Sequence, residues 1–553
     1  MYERNDEQGI RKLNYSRYRK LVEKGYSIAE DTANTSLYYI NEDPFGRTYY
    51  QKSLGEVTIR DPLTGRMYTQ EEWATKEFIV DNKAQLVAKV SADLVVGKSV
   101  SIKFKDTDSP KEEKIAWLEE FIKWNKLRTK LYESAMRNSG LGDQYFELEV
   151  IDDKIKVIYR DPYYVDIEYE NDDVKFYEIA WEIDVEKPVS RSLLKKKRQK
   201  TTYIQKKLHY KGMIRWELWE KRKKEMIPIP LNENPENEEL LTRALSESHM
   251  KTLLARESGE EYETDDINYV YVVEEYTGID TFLLIHWPNY RMFDLFGVSD
   301  AGMIENLQNA LNNRQTQLHD ILDKHADPPM YGSDSYLDEN GNLVMTGGGG
   351  RYFPVTEGGD PPGYLTWNGN ITDSQDEIKR LYEAILDNTE TSPALLGRDK
   401  GGIESGRALM YKLIRSLAMA ARKSVYMKTA INELILTAQK LEEIWIVGDG
   451  IKSLDEEIKT EWSDLLEVVI EIQSAIPTDT QEIIGEVGTL VERGLISKET
   501  GLLIIEKYFD EIDPETEKKL LAAQEDREAE LEKKRMPDLL AGIPEETEPG
   551  LNE

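Results

Sequence analysis

Residues 405–447 read SGRALMYKLIRSLAMAARKSVYMKTAINELILTAQKLEEIWIV. After Gly406 the stretch holds no glycine, and it holds no proline, so nothing in it interrupts a helix. Leu409, Leu413, Leu417, Ala420, Met427, Ile431, Leu434, Ala438 and Leu441 fall on one face at helical spacing. At 1.5 Å per residue such a helix spans roughly 60 Å. Average helices have three or four turns, so one this long acts as a spine or lies in an assembly.

Two further helices precede it. SDAGMIENLQNALNNRQTQLHDILDKHA, residues 299–326, carries Ile304, Leu307, Leu311, Leu318 and Leu322 at three- and four-residue steps. Ser299 is placed to cap it, and Asp327-Pro328-Pro329 ends it. ITDSQDEIKRLYEAILDNTE, residues 371–390, opens on two overlapping capping boxes, Thr372 with Gln375 and Ser374 with Glu377. Ser392-Pro393 stops it. Between the two lie about 40 residues rich in Gly, Pro and aromatics, with an Asn340-Gly341 hairpin signal and the run Gly347 to Gly350. Arg398, Asp399 and Lys400 sit in a glycine-flanked loop ahead of the long helix.

On the N-terminal side the first 70 residues are polar and Tyr-rich, with turns at Asp43-Pro44 and Asp61-Pro62, and read as an irregular arm. KEFIVDNKAQLVAKVSADLVVGKSVSI reads as a helix from Phe78 to a cap at Gly97. KEEKIAWLEEFIKWNKLRTKLYESAMRNSG reads as one helix, with Ile115, Leu118, Phe121, Ile122 and Leu131 on one side. The period then drops to two. QYFELEV, KIKVIYR, YVDIEYE, VKFYEIAWEIDV, TYIQKKLHY and MIRWELWEK alternate apolar and polar, which predicts an antiparallel meander of about six strands. A polar insertion at 225–266 follows, and YVYVVEEY returns to the sheet. Beyond the long helix come a strand, LEVVIEI, and helices from Thr480, Ser497 and Asp513. Residues 536–553 read as disordered. The fold class is α+β.

The chain has 553 residues, 105 acidic against 72 basic, and a formal net charge of −33. That balance argues against a protein that coats nucleic acid, because phosphate binding runs on clustered Lys and Arg. Cysteine is absent, which excludes disulfides, a thiolate nucleophile and Cys-ligated zinc. The start, MYERNDEQGIRKLNYSRYRK, has no apolar core of a secretory signal, and no apolar run approaches the ~20 residues of a membrane span. VGDGIKS is no P-loop, since Ile451 stands between Gly450 and Lys452; no G-x-S-x-G or H-E-x-x-H occurs. The basic islands at 195–200 and 221–225 read as solvated hairpin ends.

In order and spacing these elements resemble the portal proteins of tailed bacteriophages with long non-contractile tails. The resemblance lies in KEFIVDNKAQLVAKVSADLVVGKSV, in MRNSGLGDQYFELEVIDDKIKVIYRDPYYVDIEYE, in GVSDAGMIENLQNALNNRQTQLHDILDKHADPPMYG and in DNTETSPALLGRDKGGIESGRALMYKLIRSLAMAARK, and covers roughly residues 70–190 and 268–475. It implies a mainly helical portal fold: arm 1–70; wing of helices and antiparallel sheet 71–298; first stem helix 299–326; small β clip 327–370; second stem helix 371–390; tunnel loop 391–404; long spine helix and return strand 405–476; helical crown 477–535; tail 536–553. The insertion and the arm have no counterpart in it.

The same resemblance implies a dodecameric ring at one capsid vertex and no catalysis, cofactor or metal. Its partners would be further copies of itself, the major capsid protein and scaffold, the terminase large subunit and a head-completion adaptor. Double-stranded DNA would pass through the lumen, held weakly and without sequence preference. The location would be the virion, assembled in the host bacterial cytoplasm. Arg398, Asp399 and Lys400 would line the tunnel loop, and Tyr331, Tyr336, Arg351, Tyr352 and Phe353 would form the partner surface of the clip. Two other classes stay open: another structural virion protein, such as a capsid or baseplate subunit, and a metal-dependent enzyme acting on nucleic acid.

Overall fold

In the computed structural model the described residues are 2–27, 38–42, 48–60, 67–105, 112–188, 198–222, 225–242, 270–326, 330–331, 363–364, 371–398, 406–447, 465–473, 480–506, 516–524 and 527. They mix helices with antiparallel sheets and fall into two compact units. One is residues 1–401 with 411–472, the other 402–410 with 473–553.

The larger unit opens on helix α1 (Tyr2–Lys24) and a three-stranded antiparallel sheet, β1 (Tyr38–Glu42), β2 (Thr48–Arg60) and β3 (Met67–Glu77). This corrects the irregular arm expected for residues 1–70. Polar as α1 is, its Tyr15 and Leu21 are buried, as is Tyr26 just beyond it, and specific pairs tie it down: Tyr15 Oη donates to Asp143 at 2.7 Å and Arg11 pairs with Asp166 at 2.8 Å.

Helix α2 (Lys83–Val96) starts at Asn82, whose side chain accepts from Gln85 N, and ends at Gly97 with φ 70°. Phe78 and Ile79 therefore lie ahead of the helix, not in it. The stretch 111–140 is two helices, α3 (Glu112–Trp124) and α4 (Leu127–Leu141), broken at Lys126 with φ 50°. The break is held by Asn125, whose buried amide bonds Phe121 O, Ile155 O and Val157 N.

The expected meander is two sheets. Strand β5 (Asp143–Ile151) lies between β6 (Lys154–Arg160) and β13 (Leu284–Pro288) and pairs antiparallel with both. Strands β7 (Val165–Glu170), β8 (Asp173–Pro188), β9 (Arg198–Tyr210) and β10 (Met213–Arg222) continue as a separate meander. Its far edge, β10, is shared end to end by β11 (Glu225–Ile229) and β12 (Val272–Tyr276). Of the basic islands, Arg198–Lys200 opens β9 and Lys221–Arg222 closes β10, where Arg222 pairs with Glu225 of β11; residues 195–197 and 223–224 lie outside the described residues.

Helix α5 (Asp300–Ala326) and helix α6 (Ile371–Asn388) match the helices expected at 299–326 and 371–390, and α7 (Gly406–Leu441) the long one, extended by a π turn over Glu442–Val447. Short strands β14 (Met330–Tyr331) and β15 (Gly363–Tyr364) pair antiparallel between α5 and α6. One apolar core joins α2, α3, α4, β5, β6 and β13 to Met427, Ile431, Leu434 and Ala438 of α7. Strand β16 (Val468–Gln473) pairs with β4 (Ser99–Phe104) and is pinned to α7 by Asn432, whose Oδ1 accepts from Val468 N at 2.9 Å.

Gly142 and Gly297 cross backbone to backbone beside this core. A Cβ on Gly297 would stand 1.9 Å from Gly142 O. Gly297→Ala is therefore expected to lower stability by about 1–3 kcal/mol, as overpacking does, read by urea titration. An unchanged midpoint would mean that the two loops can separate freely.

The smaller unit holds α8 (Thr480–Glu492) and α9 (Lys498–Glu506), joined through Gly494 at φ 68°. Ser497 caps α9 by accepting from Thr500 N at 3.1 Å, and Gly501 lies against Val487 and Val491. Residues 516–524 are helical, and Lys518 pairs with Glu499 at 2.7 Å.

Candidate functional site

Four elements converge where α5 begins. Ser299 caps the helix, accepting from Gly302 N at 2.9 Å and donating to Gly140 O at 2.6 Å. Asp300 follows in the first turn, where the helix dipole favours a carboxylate. Its Oδ2 accepts from Ser139 Oγ at 2.5 Å and from Lys423 Nζ; its Oδ1 accepts from Asn289 Nδ2 at 3.2 Å. Lys423 Nζ also donates to Ser91 Oγ at 2.9 Å. Both charges are nearly enclosed, Asp300 at 3% and Lys423 at 3% exposure. One buried ion pair thus fixes α7 to α5, α4 and α2.

Helices α5 and α6 lie antiparallel. Ile385 near the end of α6 shares an apolar cluster with Ala301 and Ile304 at the start of α5, and Arg314 pairs with Glu377 at 2.9 Å farther along. The chain leaves α6 in a built turn. Glu390 takes φ 51°, Thr391 N returns to Leu386 O at 2.9 Å, and Ser392 caps a short 3-10 turn over Pro393–Leu396. Ser416 of α7 donates to Glu390 O at 2.6 Å and accepts from Ser392 N at 2.9 Å, while Arg422 pairs with Glu390 at 2.6 Å. Arg398 ends the described part of this loop. Its guanidinium lies 4.8 Å from the ring centre of Tyr382 on α6, and Lys83 Nζ lies 4.8 Å from the same ring. Burial pushes the Tyr382 phenol up, with Arg398 opposing.

Of the site residues expected from sequence, Arg398 is exposed at the loop root, stacked on Tyr382. Asp399 and Lys400 lie outside the described residues, as do Tyr336, Arg351, Tyr352 and Phe353. Tyr331 lies in β14, opposite Gly363. Lys423, Asp300, Ser416 and Tyr382 had not been singled out. Lys423 carried a signal: it falls on the apolar face of α7, four residues before Met427, where a cation needs a buried partner. Among the described residues no group of three His, Cys, Asp or Glu is arranged to hold a metal, and no helix is long and apolar enough to cross a membrane.

A family model described as phage portal protein, SPP1 Gp6-like, matches residues 256–531, about half of the chain. The chain belongs to the phage portal protein family. The match takes in α5, α6, the loop between α6 and α7, α7, β16, α8 and α9 of this portal protein. It thus bears out the resemblance over 268–475, while the stretch 70–190 lies outside it. Among solved structures, a chain from the neck of an empty GTA particle computed with C6 symmetry is similar at 10% identity, covering 76% of this chain and 88% of that chain, with a TM-score of 0.39. No curated protein matches.

Proposed function

We propose that this portal protein assembles as a closed dodecameric ring at one capsid vertex, the channel for packaging and ejection of double-stranded DNA. The observation that carries the reading is the family match over the paired helices, the loop and the spine. In this reading α5 and α6 are the stem, residues 327–370 the clip, 391–404 the tunnel loop, α7 the spine and the helices after Pro477 the crown. The clip, with Tyr331, Tyr336, Arg351, Tyr352 and Phe353, receives the terminase and then head-completion adaptors. Aromatic side chains of this kind anchor protein partners. The role needs no bond-making chemistry from the chain.

A conduit must not hold its duplex tightly, because every neutralised phosphate adds affinity. A chain of net charge −33 suits that need, with Arg398 and Lys400 as weak, transient contacts in the loop. The ion pair from Lys423 to Asp300 supports the same reading, since it makes the base of the stem and the spine one rigid piece. The purified protein is expected to give rings with a central hole and twelve-fold top views by negative-stain electron microscopy. Trimers or shells would overturn the ring. Replacing Arg398 and Lys400 together by Ala is expected to change DNA packaging or retention while rings persist; unchanged packaging would remove the two residues from the channel.

A further inference from the structure

The outer face of α7 carries a second periodicity. Tyr411, Ile414, Ala418, Ala421 and Val425 follow at steps of three, four, three and four, and all are exposed. Tyr411 stands at 77%, Ile414 at 60% and Val425 at 62%. This is the spacing of a seam that receives another packed element, with small residues in the middle for close approach and larger ones at the ends. It is separate from the buried row that runs through Leu413, Ala420, Met427 and Ile431.

The charge around the seam is one-sided. Residues 406–430 hold Arg407, Lys412, Arg415, Arg422, Lys423 and Lys428 but no Asp or Glu, in a chain with net charge −33. Lys423 turns inward to Asp300 and Arg422 pairs with Glu390, while Arg415 and Lys428 are exposed beside the seam. The rest of the chain therefore carries the opposite excess. On α6, for example, Asp373, Asp376, Glu383 and Asp387 are exposed along one side, with Arg380 among them.

We propose that a second copy of this chain packs on the seam Tyr411–Ile414–Ala418–Ala421–Val425, its acidic side chains facing the basic margins. The inference rests on the ring reading above and names a face for it. A basic face meeting an acidic one is a head-to-tail contact, the kind that closes into rings. Duplex DNA is the poorer occupant, because phosphate contacts use cations and polar donors and gain nothing from exposed Tyr, Ile and Val.

The chain has no cysteine, so Ile414→Cys introduces a single thiol. Full-length protein carrying it is labelled with benzophenone maleimide and irradiated with and without a random-sequence duplex. The expected product is an adduct of two chains, mapping to an acid-rich peptide of the second copy. Adducts with DNA alone, or none beyond the single chain, would overturn the proposal. A second test joins Ile414→Glu to Val425→Glu. Loss of assemblies is expected with circular dichroism unchanged, whereas Phe293→Glu, at a site 95% exposed, keeps them. Folded double variants that still assemble would overturn it, and if they unfold the crosslink decides. Wild-type rings without two-chain adducts would sink this inference and leave the ring reading; two-chain adducts without rings would do the reverse.

Discussion

Lys423→Met is expected to destabilise the larger unit by about 3–5 kcal/mol, the usual cost of removing one partner of a buried ion pair. Methionine fills most of the space but leaves Asp300, at 3% exposure, with Ser139 Oγ and Asn289 Nδ2 as its side-chain donors among the described residues. Ser91 Oγ also loses the donor that reached it. Asp300→Asn in the same background removes the stranded charge. The double variant is therefore expected to be less destabilised than the sum of the singles, by a coupling of about 0.5–3 kcal/mol. Urea titration followed by tryptophan fluorescence reads all three. A loss below about 1 kcal/mol for Lys423→Met, or strict additivity, would mean that the pair does not clamp α7 to α5.

How far such contacts could be read in advance depended on their range. Helix α5 was legible because Ser299 and the Leu row are local signals, and the structure keeps both the cap and the face. Helix α7 was legible because an uninterrupted apolar row has few alternatives. The break at Lys126 was not, because it is set by Asn125 bonding to β6, 30 residues away. The split of the meander was hidden for a similar reason. Strand β13 pairs with β5 across more than 130 residues, and local alternation says nothing of which neighbour a strand takes. Helix α1 is hidden in the sequence because it is polar and its anchors are distant carboxylates, Asp143, Asp161 and Asp166. At the candidate site, Arg398 could be placed by its loop. The Tyr382 ring beneath it, and the Asp300 that receives Lys423, needed the packed structure.

The largest response to acid is expected where the β5–β6 sheet meets β9. Glu147 on β5 is fully buried and accepts from Lys207 Nζ on β9 and from Arg160 on β6; Lys207 Nζ also reaches Glu149 at 2.7 Å. His209 Nε2 lies 3.2 Å from Glu147 Oε1, with neither ring nitrogen well directed to an acceptor. Burial pushes the Glu147 carboxyl up, but Lys207, His209 and Arg160 together hold it well below 4.5. Burial lowers His209 below 6.5, against the pull of Glu147. In both cases the unfolded chain binds protons that the folded chain refuses, so stability falls as pH falls. The loss begins below 6.5 through His209 and continues below 4.5 through Glu147. Lys207 acts at the other end: burial lowers its pKa, Glu147 and Glu149 outweigh that and raise it above 10.5, so its contribution is present below 10.5 and fades above. Glu147→Gln leaves Lys207 and Arg160 to share Glu149 and is expected to cost about 3 kcal/mol at neutral pH. It also removes the carboxyl that titrates, so the variant's stability should change less with pH below 4.5 than that of the wild type. Urea midpoints of both proteins across pH 3–8 test this. Parallel curves below 4.5 would place the acid sensitivity in other groups.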